Sequence, residues 1–314
     1  MIDSWALALK SANRSTGTIT SYNLTGRQFC NYLDQHDMPI TVDGVAADHI
    51  RIFLAATLSG CWTDDDQTMP CSCGAKATSP GNAHKHWRNL KAWFNWLIRE
   101  EERTVGHPMA NVAPPTVPDK AKPVFDDDEL RALLKACSGS TFADRRDTAI
   151  FRILIDTGMR ISGLAGLRYS TDPERSDVKL KDGLLRIRLK GGNEIFVPIA
   201  AKAAQALDRY IRARSRHPRA DSEWLWLSPK GQFTSWGIRQ MVYRRGDEAG
   251  VQGAHPHRFR HTMADDWLEG GGNPQDLMEI AGWKSLSMVL RYGRSAAARR
   301  AQMAHAKLSP GDRI

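Results

Sequence analysis

Five prolines crowd residues 108–123 (Pro108, Pro114, Pro115, Pro118 and Pro123), and they constrain the architecture more than any other feature. Proline lacks a backbone N–H and clashes with the preceding turn, so residues 104–123 cannot form a regular helix and read as an extended linker. The chain therefore divides into a domain at 1–107, a linker at 108–123 and a second domain at 124–314. A length of 314 residues is too great for one ordinary core, and a hydrophobic share of 41% suffices to fill two.

The first domain reads as helical. Apolar residues recur at near-helical spacing at Ile19, Tyr22, Phe29 and Leu33, then at Ile50, Phe53, Leu54 and Leu58, and most cleanly at Leu90, Trp93, Phe94 and Leu97. Ser79-Pro80 supplies a cap and a first-turn proline for the last of these. Its opposite face carries Lys85, Arg88, Asn95 and Arg99, a basic stripe suited to gripping DNA, although a plain solvated face gives the same pattern. Between the second and third helices Cys61, Cys71 and Cys73 precede His84 and His86; the spacing is a poor match to a zinc site, and a cysteine-containing surface loop is the simpler reading.

In the second domain Asp126 and Glu129 form a capping-box start to a helix bearing Leu130, Leu133 and Leu134, and a further helix through Ile150, Ile153 and Leu154 ends near Gly158. Two β-like runs, LLRIRL and EIFVPI, flank a hairpin turn at Lys190-Gly191-Gly192-Asn193. Helices near 200–215, 234–248, 256–269, 274–281 and 285–292 complete the pattern. The expected fold class is mainly α with a small antiparallel β-sheet.

Charge is unevenly shared. Residues 1–118 carry a net −1 and the remainder a net +10, so the excess sits in the second domain and favours a polyanion, nucleic acid, as partner. No apolar run is long enough to span a membrane, the amino terminus lacks the order of a signal peptide, and five scattered cysteines do not make a disulfide framework. A soluble, cytoplasmic protein with no membrane partner is expected.

The chemistry concentrates in TGMRISGL and in HPHRFRHTMADDWLEGGGNPQDLMEIAGWKSLSMVLRYGR. A phosphodiester under attack gathers negative charge on two nonbridging oxygens, which guanidinium forks match bidentately at any working pH. Arg160 and Arg260 are the candidates, and His257, three residues before Arg260, shares its helix face. Tyr292 is a candidate nucleophile, since neighbouring cations favour its phenolate. Trp283 offers one neutral indole donor, or else a core aromatic. Arg239, on the helix at 234–248, is a further candidate for DNA contact.

This order resembles the tyrosine recombinase (phage integrase) family: an arginine box, a hairpin lysine, a His-x-x-Arg box, a histidine or tryptophan, then a tyrosine. Arg160, Lys190, His257 with Arg260, Trp283 and Tyr292 fall on those positions. The resemblance implies a helical core-binding domain before the catalytic one, and no arm-binding domain. It implies strand cutting through a 3′-phosphotyrosine, strand exchange through a Holliday junction in a homotetramer, and a double-stranded DNA partner with inverted-repeat core sites. A directionality factor is an open partner. Lys190 becomes the general acid for the departing 5′ oxygen, His261 a structural hydrogen-bonder, and neither metal nor other cofactor is required. Gly163 stands where the family usually has an acid. Type IB topoisomerase-like relaxation, or non-catalytic DNA binding on a recombinase scaffold, are the alternatives.

Overall fold

Two serines start the two long helices of the first unit. Ser15 accepts from the Thr18 N–H at the head of α2 (Thr16–Gln35), and Ser79 accepts from Asn82 at the head of α4 (Pro80–Arg99), with Pro80 in the first turn. The structure is a computed structural model and describes residues 1–60, 77–118, 122–188, 194–283, 285–292, 297–309 and 311–313. It falls into two compact units, Met1–Lys120 and Ala121–Ile314.

In the first unit α1 (Ile2–Ser11) and α3 (Ala47–Ser59) join α2 and α4 around Phe29, Leu33, Ile50, Phe53, Leu90, Phe94 and Leu97, all buried. Full burial of each such side chain contributes about 1.5–3 kcal/mol. Trp5 of α1 stacks on Tyr22 at 4.9 Å and lies 6.3 Å from Trp93. The described residues of the proline-containing stretch are free of helix, but its first part packs onto this unit: Met109 and Val112 are buried, and the Trp87 indole donates to the Val112 carbonyl at 2.8 Å.

The second unit is built on α6 (Phe142–Thr157), whose Ile150, Phe151, Ile153 and Leu154 have no exposed surface. It packs against α8 (Ala201–Arg214), α10 (Pro256–Glu269) and α5 (Asp127–Ala136), the last begun by a reciprocal Asp126–Glu129 capping box. A three-stranded antiparallel sheet, β1 (Val178–Lys179), β2 (Leu184–Arg188) and β3 (Glu194–Pro198), pairs Leu184 with Pro198 through to Arg188 with Glu194. A two-stranded piece, β4 (Leu227–Ser228) and β5 (Gly231–Gln232), precedes α9 (Ser235–Glu248). The short α7 (Ile161–Ala165) follows α6, and α11 (Pro274–Ala281), α12 (Leu286–Tyr292) and α13 (Ala297–Leu308) follow α10.

Charged residues also hold the second unit together. Asp147, fully buried, accepts from Arg146 at 2.8 Å and from Arg245 at 3.0 Å, while Arg245 also reaches Asp144 and the Ala136 carbonyl. This network ties α9 to α5 and α6. Removing one member of such a buried group costs about 3–5 kcal/mol, because a charge is left uncompensated.

Candidate active site

The site begins at a glycine. Gly158 ends α6 in the left-handed conformation (φ 53°), and its N–H closes on the Leu154 carbonyl. The turn sets Arg160 at the head of α7 with its side chain exposed. Gly158 also admits α10 at close range. A Cβ there would lie 2.8 Å from Met263 Cε and 3.1 Å from the Arg260 Cα.

That approach lets Arg260, only 1% exposed, donate from Nη1 to the Gly158 carbonyl at 2.9 Å and from Nη2 to the Ala281 carbonyl at 2.8 Å. Its guanidinium lies 4.6 Å from the centre of the Trp283 ring. One buried cation thus joins the α6–α7 turn, α10 and the end of α11. Trp283 is itself buried among Met263, Leu277 and Val289, so its place is beneath Arg260 in a small apolar cluster shared with α12. Tyr292 is the last residue of α12, one turn beyond Val289.

His257 lies on the exposed surface of α10, three residues before Arg260. Its pKa is lowered, first by loss of hydration and then by the cations Arg260, Arg239 and Arg160. The imidazole is therefore kept neutral, able to offer one donor and one acceptor. His255 caps α10 by accepting from the Arg258 N–H at 3.1 Å, and its pKa falls for like reasons, loss of hydration foremost. Burial pulls His261 down to about 4, with His257, Lys122, His255 and Arg260 adding to the effect. Arg258 belongs to the opposite face: it donates to the carbonyls of Val124 and Gln252, pairs with Glu129, and covers the Phe125 ring at 4.0 Å.

A cavity of about 220 Å³ lies beside these groups, lined by Arg160, Gly163, Ile187, Arg188, Arg260 and Ala281. It brings Arg160 and Arg260 together with the strands that lead into the hairpin. Lys190, expected from sequence at a hairpin turn, lies outside the described residues. Gly163 faces the sheet, where an added Cβ would stand 3.2 Å from Ile187 Cγ2. Arg188 was not singled out from sequence; it lines the cavity and is held by Asp177 at 2.9 Å and Glu194 at 3.5 Å. The alternation of LLRIR, with Leu185 and Ile187 inward and Arg186 and Arg188 outward, is the signal that could have found it.

Arg239 is exposed on α9 and near enough to act on both His255 and His257. Trp236, one turn earlier, is 72% exposed. Lys85, Arg88 and Arg99 lie on α4 of the first unit, with Arg88 and Arg99 exposed and Arg99 3.5 Å from Glu100. His86 is buried with both ring nitrogens engaged, 3.1 Å from Thr25 and 3.2 Å from Asn82, while His84 approaches the Pro115 carbonyl at 3.1 Å. The His86 imidazole is therefore committed within the first unit, whereas His84 uses one ring nitrogen; Cys61, Cys71 and Cys73 lie outside the described residues. No helix among the described residues is long and apolar enough to cross a membrane.

Comparison with known proteins meets the same region. Residues 123–299 match the model of the phage integrase family. The tyrosine recombinase XerC of Chromobacterium violaceum is 35% identical over 215 residues, covering 65% of this chain and 67% of that protein. The XerC of Actinobacillus pleuropneumoniae is 28% identical over 204 residues, or 65% of this chain and 64% of its own length, so the chain spans about two thirds of these relatives. The fold matches the XerH site-specific recombinase, solved bound to palindromic difH substrate, with a TM-score of 0.69 at 17% identity, over 94% of this chain and 81% of that one. Because the matched stretch is more than half of the chain and contains each helix and strand that builds the pocket around Arg260, the chain belongs to the phage integrase family of tyrosine recombinases.

Proposed function

We propose that this chain is a site-specific DNA recombinase that cuts and rejoins duplex DNA through a covalent bond to Tyr292. The observation that carries the reading is the one cavity that Arg160 and Arg260 line together, with His257 three residues before Arg260 on α10. Arg160 and Arg260 take the nonbridging oxygens of the scissile phosphate, and neutral His257 hydrogen-bonds the same group. The Tyr292 oxygen attacks phosphorus, the bond to the 5′ oxygen breaks, and Lys190 gives that oxygen a proton. Attack by a 5′ hydroxyl of a second strand reverses the step, so bond energy is conserved and no nucleotide is consumed. Arg239, with Lys85, Arg88 and Arg99 of the first unit, contacts DNA backbone or bases.

The family relationship supports DNA as the partner, and XerH was solved on a palindromic site. By extension this chain acts on inverted-repeat core sites as a homotetramer, with or without a directionality factor. Tyr292→Phe tests the reading, since it removes the attacking oxygen and little else. With a nicked suicide substrate, the variant is expected to bind DNA with unchanged affinity and form no covalent adduct on denaturing gels. An adduct that persists in the variant rules out Tyr292. Lys190→Ala is expected to be slow on ordinary DNA and largely restored when sulfur replaces the bridging 5′ oxygen, because a thiolate leaves without a proton. Equal defects on both substrates would assign Lys190 to binding.

A further inference from the structure

The second unit carries a large groove that the pocket at Arg160 and Arg260 does not use. It lies between α6 and α8, has a volume of about 1040 Å³, and shares no lining residue with that pocket. Two rows of guanidinium groups edge it, Arg145 and Arg152 from α6, and Arg209 and Arg212 from α8 with Arg216 in the turn that follows it. Seven residues separate Arg145 from Arg152, which keeps them on one face of α6 over two turns, roughly 10 Å. Arg212 is paired with Asp208 at 2.6 Å. Arg145, Arg152, Arg209 and Arg216 have no carboxylate partner among the described residues.

The groove is also distinct from the cutting site. The Ala200 N–H, at the head of α8, donates to Asp156 in the last turn of α6 at 2.6 Å, so the two helices run antiparallel. The groove extends from the middle of the pair to its other end, with Arg152 roughly 8 Å and Arg145 roughly 18 Å along α6 from Thr157 at 1.5 Å per residue. Four unpaired like charges around one concavity repel one another and await a polyanion.

The uncharged part of the lining decides which polyanion. Leu134, Phe142, Ala206 and Ala213 give it apolar surface beside Ser138, Ser140, Thr148 and His217. A phosphate backbone gains nothing from the apolar part. Stacking of an unpaired base is also disfavoured, because the Phe142 ring is already engaged with His217 at 4.6 Å and Tyr210 at 5.6 Å. A helix with Asp or Glu along its flanks and apolar residues between them satisfies both the rims and the apolar part. The chain's own tail does not qualify: the stretch from Ser295 to Lys307 carries Arg299, Arg300 and Lys307 and no acid, the same sign as the rims.

We propose that the α6–α8 groove is a docking site for an acidic, apolar-faced helical segment of a partner protein, separate from the DNA-cutting pocket. The probe is a labelled Glu/Leu helical peptide about four turns long, titrated against the full chain already held on nicked DNA, so that the DNA surface is occupied. Binding that weakens with salt is expected. The triple variant Arg145→Gln, Arg209→Gln and Arg216→Gln is expected to bind the peptide about tenfold more weakly while forming the covalent DNA adduct at the original rate. Undiminished peptide binding by the triple variant overturns the proposal. So does a non-site DNA duplex that displaces the peptide and itself loses affinity in the variant, since the groove would then be a nucleic-acid surface. Photo-crosslinking of the peptide to the unmodified chain needs no variant to fold: crosslinks must map to 134–152 and 206–218, and a map elsewhere refutes the site.

Discussion

At the scale of single residues, His261 makes the pH response of α10 predictable. Its folded pKa of about 4 lies below the ordinary histidine value of about 6.5, so the unfolded chain binds the extra proton first. Stability is whole above about 6.5 and is lost as pH falls through the window down to about 4. The ring is partly exposed, which limits the loss to on the order of 1 kcal/mol; His255 and His257 shift in the same direction and add to it. Hydrogen exchange in α10 should accelerate, beyond its intrinsic pH dependence, between pH 6.5 and 4.5, and His261→Gln should flatten that trend. An unchanged profile would mean that His261 titrates normally. Gly163 gives the second prediction at this scale. A side chain in α7 gains about 0.5–1 kcal/mol in helix propensity over glycine, against a contact with Ile187 that must yield by a few tenths of an ångström. Gly163→Glu is therefore expected to keep its fold and to cleave nicked DNA within about tenfold of the original rate, its carboxylate reaching the cavity lined by Arg160 and Arg188. If cleavage collapses, Ile187→Ala as a second change, which removes the Cγ2 in contact, separates the causes: recovery assigns the defect to crowding, and no recovery assigns it to the carboxylate.

At the scale of elements, the α6–α7 turn is the joint on which the pocket depends. Gly158→Ala meets two costs, the left-handed backbone and the collision with Met263 and the backbone of Arg260, together about 2–4 kcal/mol. It should also push away the carbonyl that holds Arg260, so adduct formation is expected to fall further than urea resistance alone explains. Measuring both on Gly158→Ala checks this, and retention of both would show that α10 does not need the close approach. The elements that sequence revealed were those with strong local signals: the capped starts at Ser79 and Asp126, the 3.6-residue period of α2, α4 and α6, and the paired β-runs. Those it missed lack such signals. α1 buries only Trp5, held by stacking on Tyr22, and α7 has five residues, too few to display a period. Nothing in the sequence singles out Asp147 and Arg245, because their pairing joins positions 98 residues apart. Arg160, Arg260 and His257 were picked out for a different reason, by motif order, which does not depend on whether a side chain is exposed, as Arg160 is, or buried, as Arg260 is. The support of Arg260 by the Gly158 and Ala281 carbonyls and the Trp283 ring could not be read from order alone.

At the scale of the whole molecule, the proposed recombination requires one chain's cutting to be coupled to another's, and the tail is where the sequence points. α13 (Ala297–Leu308) is a twelve-residue helix, below the length that holds together alone in water, and Ala297, Ala301, Gln302, Ala304, His305, Ala306 and Leu308 are exposed. It needs a surface to dock on. A second protomer is the natural one, and because α13 follows Tyr292 closely in the chain, docking in trans would link assembly to the placement of the nucleophile. The competing role is electrostatic: Arg299, Arg300 and Lys307 could simply add phosphate contacts. Truncation after Arg294 distinguishes the two. If the tail grips DNA, losing four cations, Arg313 included, weakens half-site binding and lowers its salt dependence. If the tail couples protomers, half-site affinity stays within about twofold, while the mass of the complex on full sites drops below a tetramer and recombinant product disappears. Sedimentation and strand-exchange assays on both forms give the answer, and a truncated chain that still assembles tetramers and recombines at the full-length rate would leave coupling to some other element.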